Sequence, residues 1–132
     1  MYYRNNRSKY NATKTVVDGI EFASKKEARR FQQLAALEKA GVISDLQMQV
    51  SYELIPAIKE PDTIGARGGV KKGKTIERPC IYIADFVYKD KDGKLVVEDV
   101  KGCRKSDMGA YRIFTIKRKL MLWRFNISVK EI

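Results

Sequence analysis

The amino-acid sequence predicts an α/β fold, with elements in the order α-β-β-β-α-β behind a basic N-terminal arm and a mixed central sheet flanked by helices. Three observations carry this reading. Residues 46–54 alternate apolar and polar side chains with a period of two, the signature of a strand with one face buried. Residues 81–101 hold two runs of β-branched and aromatic residues around a turn cluster, which is a hairpin pattern. Residues 24–40 and 110–125 place apolar residues at helical spacing.

In chain order, residues 1–14, MYYRNNRSKYNATK, form a polar, basic, flexible arm. Either it lies along phosphates and stacks bases on Tyr2, Tyr3 or Tyr10, or it is an ordinary frayed terminus. The remainder, 15–132, is long enough for one modest core and is read as a single domain. Thr15 to Phe22 is a small hairpin around the turn dipeptide Asp18-Gly19. The first helix begins at Ser24, which caps it, with Glu27 three residues on completing a capping box. It ends before Gly41, a residue suited to the left-handed cap. At 100° per residue Glu27 falls on the apolar stripe between Phe31 and Leu34, flanked by Ala35 and Leu37. Its role there is either that of a capping residue or that of an acid turned toward a site.

The strand over 46–54 buries Leu46, Met48, Val50, Tyr52 and Leu54, and Gln49 either contacts the site or DNA or, the favoured reading, faces solvent. Between Ile55 and Pro79 the chain turns rich in glycine and lysine. So long a connection is usually disordered or functional, and we read it as a flexible cationic flap over DNA carrying Lys71, Lys72 and Lys74. Its glycines lack the strand-to-helix context of a phosphate-binding loop, which excludes a nucleoside-triphosphatase.

The hairpin that follows, IYIADFVYKDKDGKLVVEDVKG over 81–102, organises everything else. A three-residue loop, Lys91-Asp92-Gly93 with Gly93 left-handed, sets Asp90 opposite Lys94 and, further down, Asp85 opposite Asp99. A two-residue loop would put the aliphatic faces on opposite sides of the sheet. Ile81, Ile83, Asp85 and Val87 then share the core face with Leu95, Val97, Asp99 and Lys101, while Glu98 points to the other side. Two facing carboxylates repel unless a cation or proton lies between them. After a polar loop over 102–109 with Arg104 and Lys105, the second helix buries Tyr111, Phe114 and Met121 with Ile113 and Leu120. It exposes cations such as Arg112, Lys117, Arg118, Lys119 and Arg124. Residues 126–132 close as a short strand.

Composition narrows the chemistry. The chain has 27 Lys and Arg against 16 Asp and Glu, a net charge of +11, which points to a polyanionic partner, nucleic acid first. A basic protein with a solvated cationic surface has the same charge. There is no histidine, which excludes Ser-His-Asp hydrolases, histidine-dependent nucleases and His-containing zinc sites. Carboxylate, Lys and Tyr remain to do any chemistry. Cys80 and Cys103 lack metal-type spacing and are expected as reduced thiols. Without an apolar run of about 18 residues or a signal-peptide core, the expected location is the cytoplasm, with no membrane partner.

An Asp on one strand, a short turn, then Asp-x-Lys on the next resembles the signature of the PD-(D/E)xK nuclease superfamily, here Asp85, Asp99 and Lys101, with Ala84 where the superfamily name has Pro. SKKEARRF at 24–31, YIADF at 82–86 and VVEDVKG at 96–102 resemble more closely a small phage-encoded family of that superfamily, from about Lys9 onward. The resemblance implies a restriction-endonuclease-like core and a metal-dependent endodeoxyribonuclease in the cytoplasm of the phage's host. Glu27, Asp85, Asp99 and the Val100 carbonyl would hold Mg²⁺ or Mn²⁺, and Lys101 would position water or offset charge. Lys101 is otherwise a salt-bridge partner for Asp99 or Asp85. Lys71, Lys72, Lys74, Arg104, Lys105 and Arg112 are the expected DNA contacts. The layout is also similar to archaeal-type Holliday junction resolvases, which implies branched DNA and a homodimer. The alternative is a basic nucleic-acid-binding protein that keeps such a fold without the chemistry.

Overall fold

A computed structural model describes residues 14–101 and 108–132. The arm over 1–13 and the loop holding Cys103, Arg104 and Lys105 lie outside the described residues.

The first hairpin is as expected: β1 (Thr15–Val17) pairs antiparallel with β2 (Ile20–Phe22), and Asp18 and Gly19 take φ of 51° and 77°. Two consecutive positive φ values make the turn whose twist matches the flanking strands. Helix α1 (Lys25–Lys39) follows, with the Ser24 hydroxyl accepting the Glu27 N–H at 3.2 Å. It stops at Ala40, beyond which Gly41 has φ 78°. Ala28 and Leu34 are its buried residues, whereas Leu37, expected on the apolar stripe and in the last turns of the helix, is 37% exposed.

β3 (Ser44–Ile55) is the expected alternating strand. The connection after it, read as a flexible flap, is built of short paired strands. β4 (Ile58–Lys59), β5 (Thr63–Ile64), β6 (Val70–Lys71) and β7 (Thr75–Glu77) nest into one antiparallel ribbon, β4 with β7 and β5 with β6. The glycines read as flexibility instead allow turns and close approach. The Gly73 N–H donates to Asp62 Oδ1 at 2.7 Å and the Glu60 N–H to the Lys74 carbonyl at 2.8 Å. A Cβ at Gly73 would stand 1.7 Å from the Glu60 carbonyl oxygen.

β8 (Cys80–Lys89), β9 (Leu95–Asp99), α2 (Met108–Phe125) and β10 (Lys130–Glu131) complete the expected element order. The four-stranded sheet runs β10-β9-β8-β3, with β9 and β10 parallel and the other pairs antiparallel, so it is mixed. The turn between β8 and β9 is the expected one. The Asp90 N–H donates to the Lys94 carbonyl at 2.9 Å, Gly93 has φ 76°, and Lys89 lies opposite Leu95 and Phe86 opposite Glu98.

Face assignment departs from simple alternation. Tyr82 and Ala84 of β8 pack with Leu54, Phe114 and Met121, whereas Phe86 and Tyr88 pack with Phe22, Ala28 and Leu34. β3 switches in the same place, with Leu46 and Met48 against the α1 cluster and Val50 and Tyr52 against the α2 cluster. At the switch Gln49 takes φ 53°, a left-handed value that breaks the two-residue period. Ile81 and Ile83, expected on the core face with Val87, are therefore exposed, at 40% and 51%. On β9 the regular period holds: Val96 and Val100 join the α1 cluster and Val97 the α2 cluster, which puts the helices on opposite sides of the sheet. α2 buries Phe114 and Met121 but exposes Tyr111 and Ile113, because only one face of it meets the sheet.

Glu98 points away from Asp99, as expected, and it is fully buried. The Arg30 guanidinium grips it in a two-pronged pair at 2.8 and 2.5 Å, and the Tyr88 hydroxyl donates at 2.6 Å. Burial alone would push this carboxyl up, but the hydrogen bonds from Arg30 and Tyr88 and the Arg30 charge outweigh it and hold the group below its usual range. Burial and the Glu98 contact push the Tyr88 phenol up to about 12. A carboxyl with a depressed folded value binds protons less readily folded than unfolded. Its contribution to stability is complete above the ordinary range near ~4.3 and is lost as pH falls through the folded value. Glu98→Ala leaves a half-buried guanidinium and the Tyr88 hydroxyl without their partner and should cost about 2 kcal/mol or more in urea unfolding at pH 7. Glu98→Gln should also be less stable than the wild type at pH 7, by a margin that shrinks as the pH is lowered below about 4.

Candidate active site

The carboxylates of interest gather where the sheet forks. The β8–β9 ladder runs from Lys89 and Leu95 to Phe86 and Glu98 and stops there. Asp85 and Asp99 are next in register across the opening fork, as the turn predicted. Beyond it β8 stays paired with β3, while Lys101 N–H donates to the Ile132 carbonyl on the β10 side at 3.2 Å. Val100 N–H, at the mouth of the fork, donates at 2.8 Å to Asp85 Oδ2. The Asp85 side chain thus takes the place of a ladder acceptor.

Its other oxygen, Oδ1, accepts from Gln49 Nε2 at 3.2 Å across β3. Gln49, expected to face solvent, belongs to the site. The signal was the β3–β8 register, which no local pattern contains. Burial pushes the Asp85 carboxyl up and the Asp99 charge adds to this, against the Val100 N–H, Gln49 and Lys101. Glu27 behaves alike: burial and the Asp85 charge, with a smaller part from Asp99, raise it against a backbone bond from Ala23. Glu27 and Asp85 line one cleft of about 380 Å³ with Gln49, Met48, Phe86 and Lys14.

Asp99 sits deeper and is nearly buried. Tyr82 donates its hydroxyl to Oδ1 at 3.3 Å, a partner that sequence reasoning placed on the opposite face and so missed. Burial and the nearby Asp99 and Asp85 charges drive the Tyr82 phenol far up, which keeps it a donor. Lys101 Nζ lies 2.5 Å from Asp99 Oδ2 and 3.6 Å over the centre of the Phe114 ring. Oδ2 is buried and, beyond this ion pair, accepts no hydrogen bond among the described residues. Lys26 Nζ, one residue before Glu27, donates at 2.7 Å to the Lys101 carbonyl and ties α1 to the fork.

The structure thus brings Glu27, Asp85, Asp99 and Lys101 into one electrostatically linked group. It does not close the acids into a cage. Among the described residues no three acidic or cysteine side chains are grouped tightly enough to hold a metal ion as they stand. Val100 contributes its N–H to Asp85, and its side chain is in the core. The remaining expected contacts are elsewhere: Lys71, Lys72 and Lys74 along the β4–β7 ribbon and Arg112 on α2, all exposed. Arg124, expected as a solvated cation, donates to the Leu54 carbonyl at 2.8 Å.

Residues 7–130 match the family described as "Protein of unknown function (DUF1064)". The chain belongs to that family. No curated protein and no solved structure matches it. No helix among the described residues of this DUF1064 chain is long and apolar enough to cross a membrane.

The donor set suits a hard divalent cation. It is all oxygen, it includes a buried carboxylate oxygen whose close contact is the Lys101 ammonium, and burial and neighbouring carboxylate charge hold Glu27 and Asp85 more basic than usual. A carboxyl raised on folding binds protons more readily folded than unfolded, so stability falls as pH rises from the ordinary carboxylate range through the folded value. Asp85→Asn removes that loss. Its amide oxygen still accepts from Val100, and Gln49 can flip to accept from its nitrogen. In metal-free buffer at pH 7 the variant should melt at least ~3 °C above the wild type. Millimolar Mn²⁺ or Mg²⁺ should raise the melting temperature of the wild type but leave that of Asp85→Asn unchanged.

Proposed function

We propose that this DUF1064 chain is a Mg²⁺- or Mn²⁺-dependent endodeoxyribonuclease built on a PD-(D/E)xK-like core, with branched DNA the substrate form to test first. One observation carries the reading: two acids from adjacent strands and one from α1 meet at a fork with a lysine ion-paired beside them. Phosphodiester hydrolysis needs neutralised phosphoryl oxygens, an oriented water and a stabilised leaving oxygen. Glu27, Asp85 and Asp99, with the Val100 carbonyl, are the groups that would hold the cation. Bound there, it supplies charge neutralisation and makes water more acidic.

The chain's own residues supply the rest. Gln49 and the Val100 N–H fix the plane of the Asp85 carboxylate, and Tyr82 fixes that of Asp99. The Phe114 ring and Asp99 hold the Lys101 ammonium next to the acids. From there it offsets charge that develops on the phosphate or orients the attacking water. The net charge of +11 supports a polyanionic substrate.

A second reading rests on the same ion pair. If Lys101 serves only to neutralise a buried Asp99, the protein binds nucleic acid and cuts nothing. Plasmid, plain duplex and a synthetic four-way junction, each incubated with Mg²⁺, Mn²⁺ or chelator, separate the two. The nuclease nicks DNA only with metal, and Asp85→Ala and Asp99→Ala lower the rate about 100-fold or more while binding persists. A gel shift without cleavage under every condition would overturn the nuclease reading. Sedimentation of the junction complex tests the homodimer.

A further inference from the structure

The β4–β7 ribbon has no part in the site just described, yet its outer half is built in an unusual way. Ile64 and Val70 are directly paired across its two strands and are 80% and 71% exposed. They cap a tight end: Gly65 and Gly69 face each other with the Gly65 N–H donating at 2.7 Å, and Gly68 closes the turn onto the Gly65 carbonyl at 2.9 Å. Residues 63–74 carry Arg67, Lys71, Lys72 and Lys74 and no acid. Thr63 pairs with Lys71, so the apolar pair and a lysine lie on opposite faces of the ribbon. A solvated loop has no use for two adjacent bare aliphatic side chains at its tip, and a purely electrostatic contact needs none.

We infer that this ribbon is a DNA-bending arm, whose cations follow the phosphates of a duplex while Ile64 and Val70 wedge between base pairs from the minor groove. This rests on the reading that the partner is DNA, but not on the chain cutting it. Charge complementarity selects the partner, since the outer half of the ribbon is cationic throughout and matches a phosphate backbone. The apolar tip selects the mode. An aliphatic wedge unstacks one base step and kinks the duplex, and the bend brings more phosphates within reach of flanking lysines. A ribbon suits this task because its residues are already ordered, so little chain entropy is lost on binding. At Gly73 the strands approach too closely for any side chain, so the base of the ribbon is closed tightly behind its tip.

The test uses the full chain in chelator, where nothing is cut, and a duplex of about 30 base pairs labelled at both ends for energy transfer. The wild type should bring the ends together on binding. Ile64→Ser with Val70→Ser should abolish the change and weaken binding roughly tenfold or more, without altering the salt dependence. Lys71→Gln with Lys72→Gln should instead lower the slope of log affinity against log salt by about one per lysine. Ile64→Met with Val70→Met keeps an apolar tip and should keep the bend. Equal bending by the wild type and the serine variant would overturn the inference, as would a serine variant whose sole change in sedimentation and binding is dissociation of a dimer. Bending without cleavage in any metal removes the nuclease reading and leaves the arm. Cleavage with unchanged bending does the reverse.

Discussion

The constraint on which the rest of this structure turns is that β8 and β9 cannot stay paired past Phe86 and Glu98. From that point β8 continues along β3, and β9 leaves to run beside β10. A fork in a sheet exposes backbone donors that a ladder would satisfy, and a buried N–H left alone is costly. Here the orphan is the Val100 N–H, and the Asp85 carboxylate satisfies it. The same side chain that mends the backbone is thereby drawn into the gap beside Asp99. The acids are close because the strands part there, so geometry and chemistry have one cause.

The change of faces at Gln49 and Asp85 extends that cause to the core. Because β3 and β8 switch sides together, their register survives while their inner and outer faces exchange. One half of the paired strands packs on α1 and the other on α2. The position of the exchange belongs to neither cluster, and that leaves a polar seam at mid-sheet into which the cleft opens. A strand with unbroken alternation would have placed Asp85 under a helix or on an open surface. Neither provides a half-buried carboxylate that solvent can reach.

Much of this was legible in the sequence because it rests on short-range rules. The Asp18-Gly19 and Asp92-Gly93 turns, the Ser24 cap and the Gly41 stop each follow from backbone preferences of a few residues, and the hairpin register follows from its turn alone. What was not legible depends on partners far along the chain. Gln49 reads as an ordinary outward residue until β8 is laid beside β3. Tyr82 reads as facing away from Asp99 until the period breaks between them. Ile81 and Ile83 read as core because alternation was carried unbroken through a site that interrupts it. The ribbon over 58–77 misled for another reason: glycine supports both disorder and tight approach, and only the cross-strand neighbour of Gly73 tells them apart.

Two acids of the β8–β9 hairpin, Glu98 and the half-buried Asp85, show how carboxylates are put to opposite uses. Glu98 is given an arginine fork and a phenol, and those contacts overcome the burial that would protonate it. Asp85 is given a backbone N–H and an amide, which are weaker partners, and another carboxylate, which works against it. A fold selected only for stability would treat both alike, because an under-compensated buried charge lowers the free energy of unfolding. Glu98 lies opposite Phe86, the residue next to Asp85, so the difference cannot come from a generally tolerant region. It comes from which face each residue presents, with α1 bringing a guanidinium to one side and the fork bringing acids to the other. The repulsion at the fork, which Lys101 relieves only in part, therefore lies where solvent can reach it, and a neutral side chain at Asp85 would give a more stable protein.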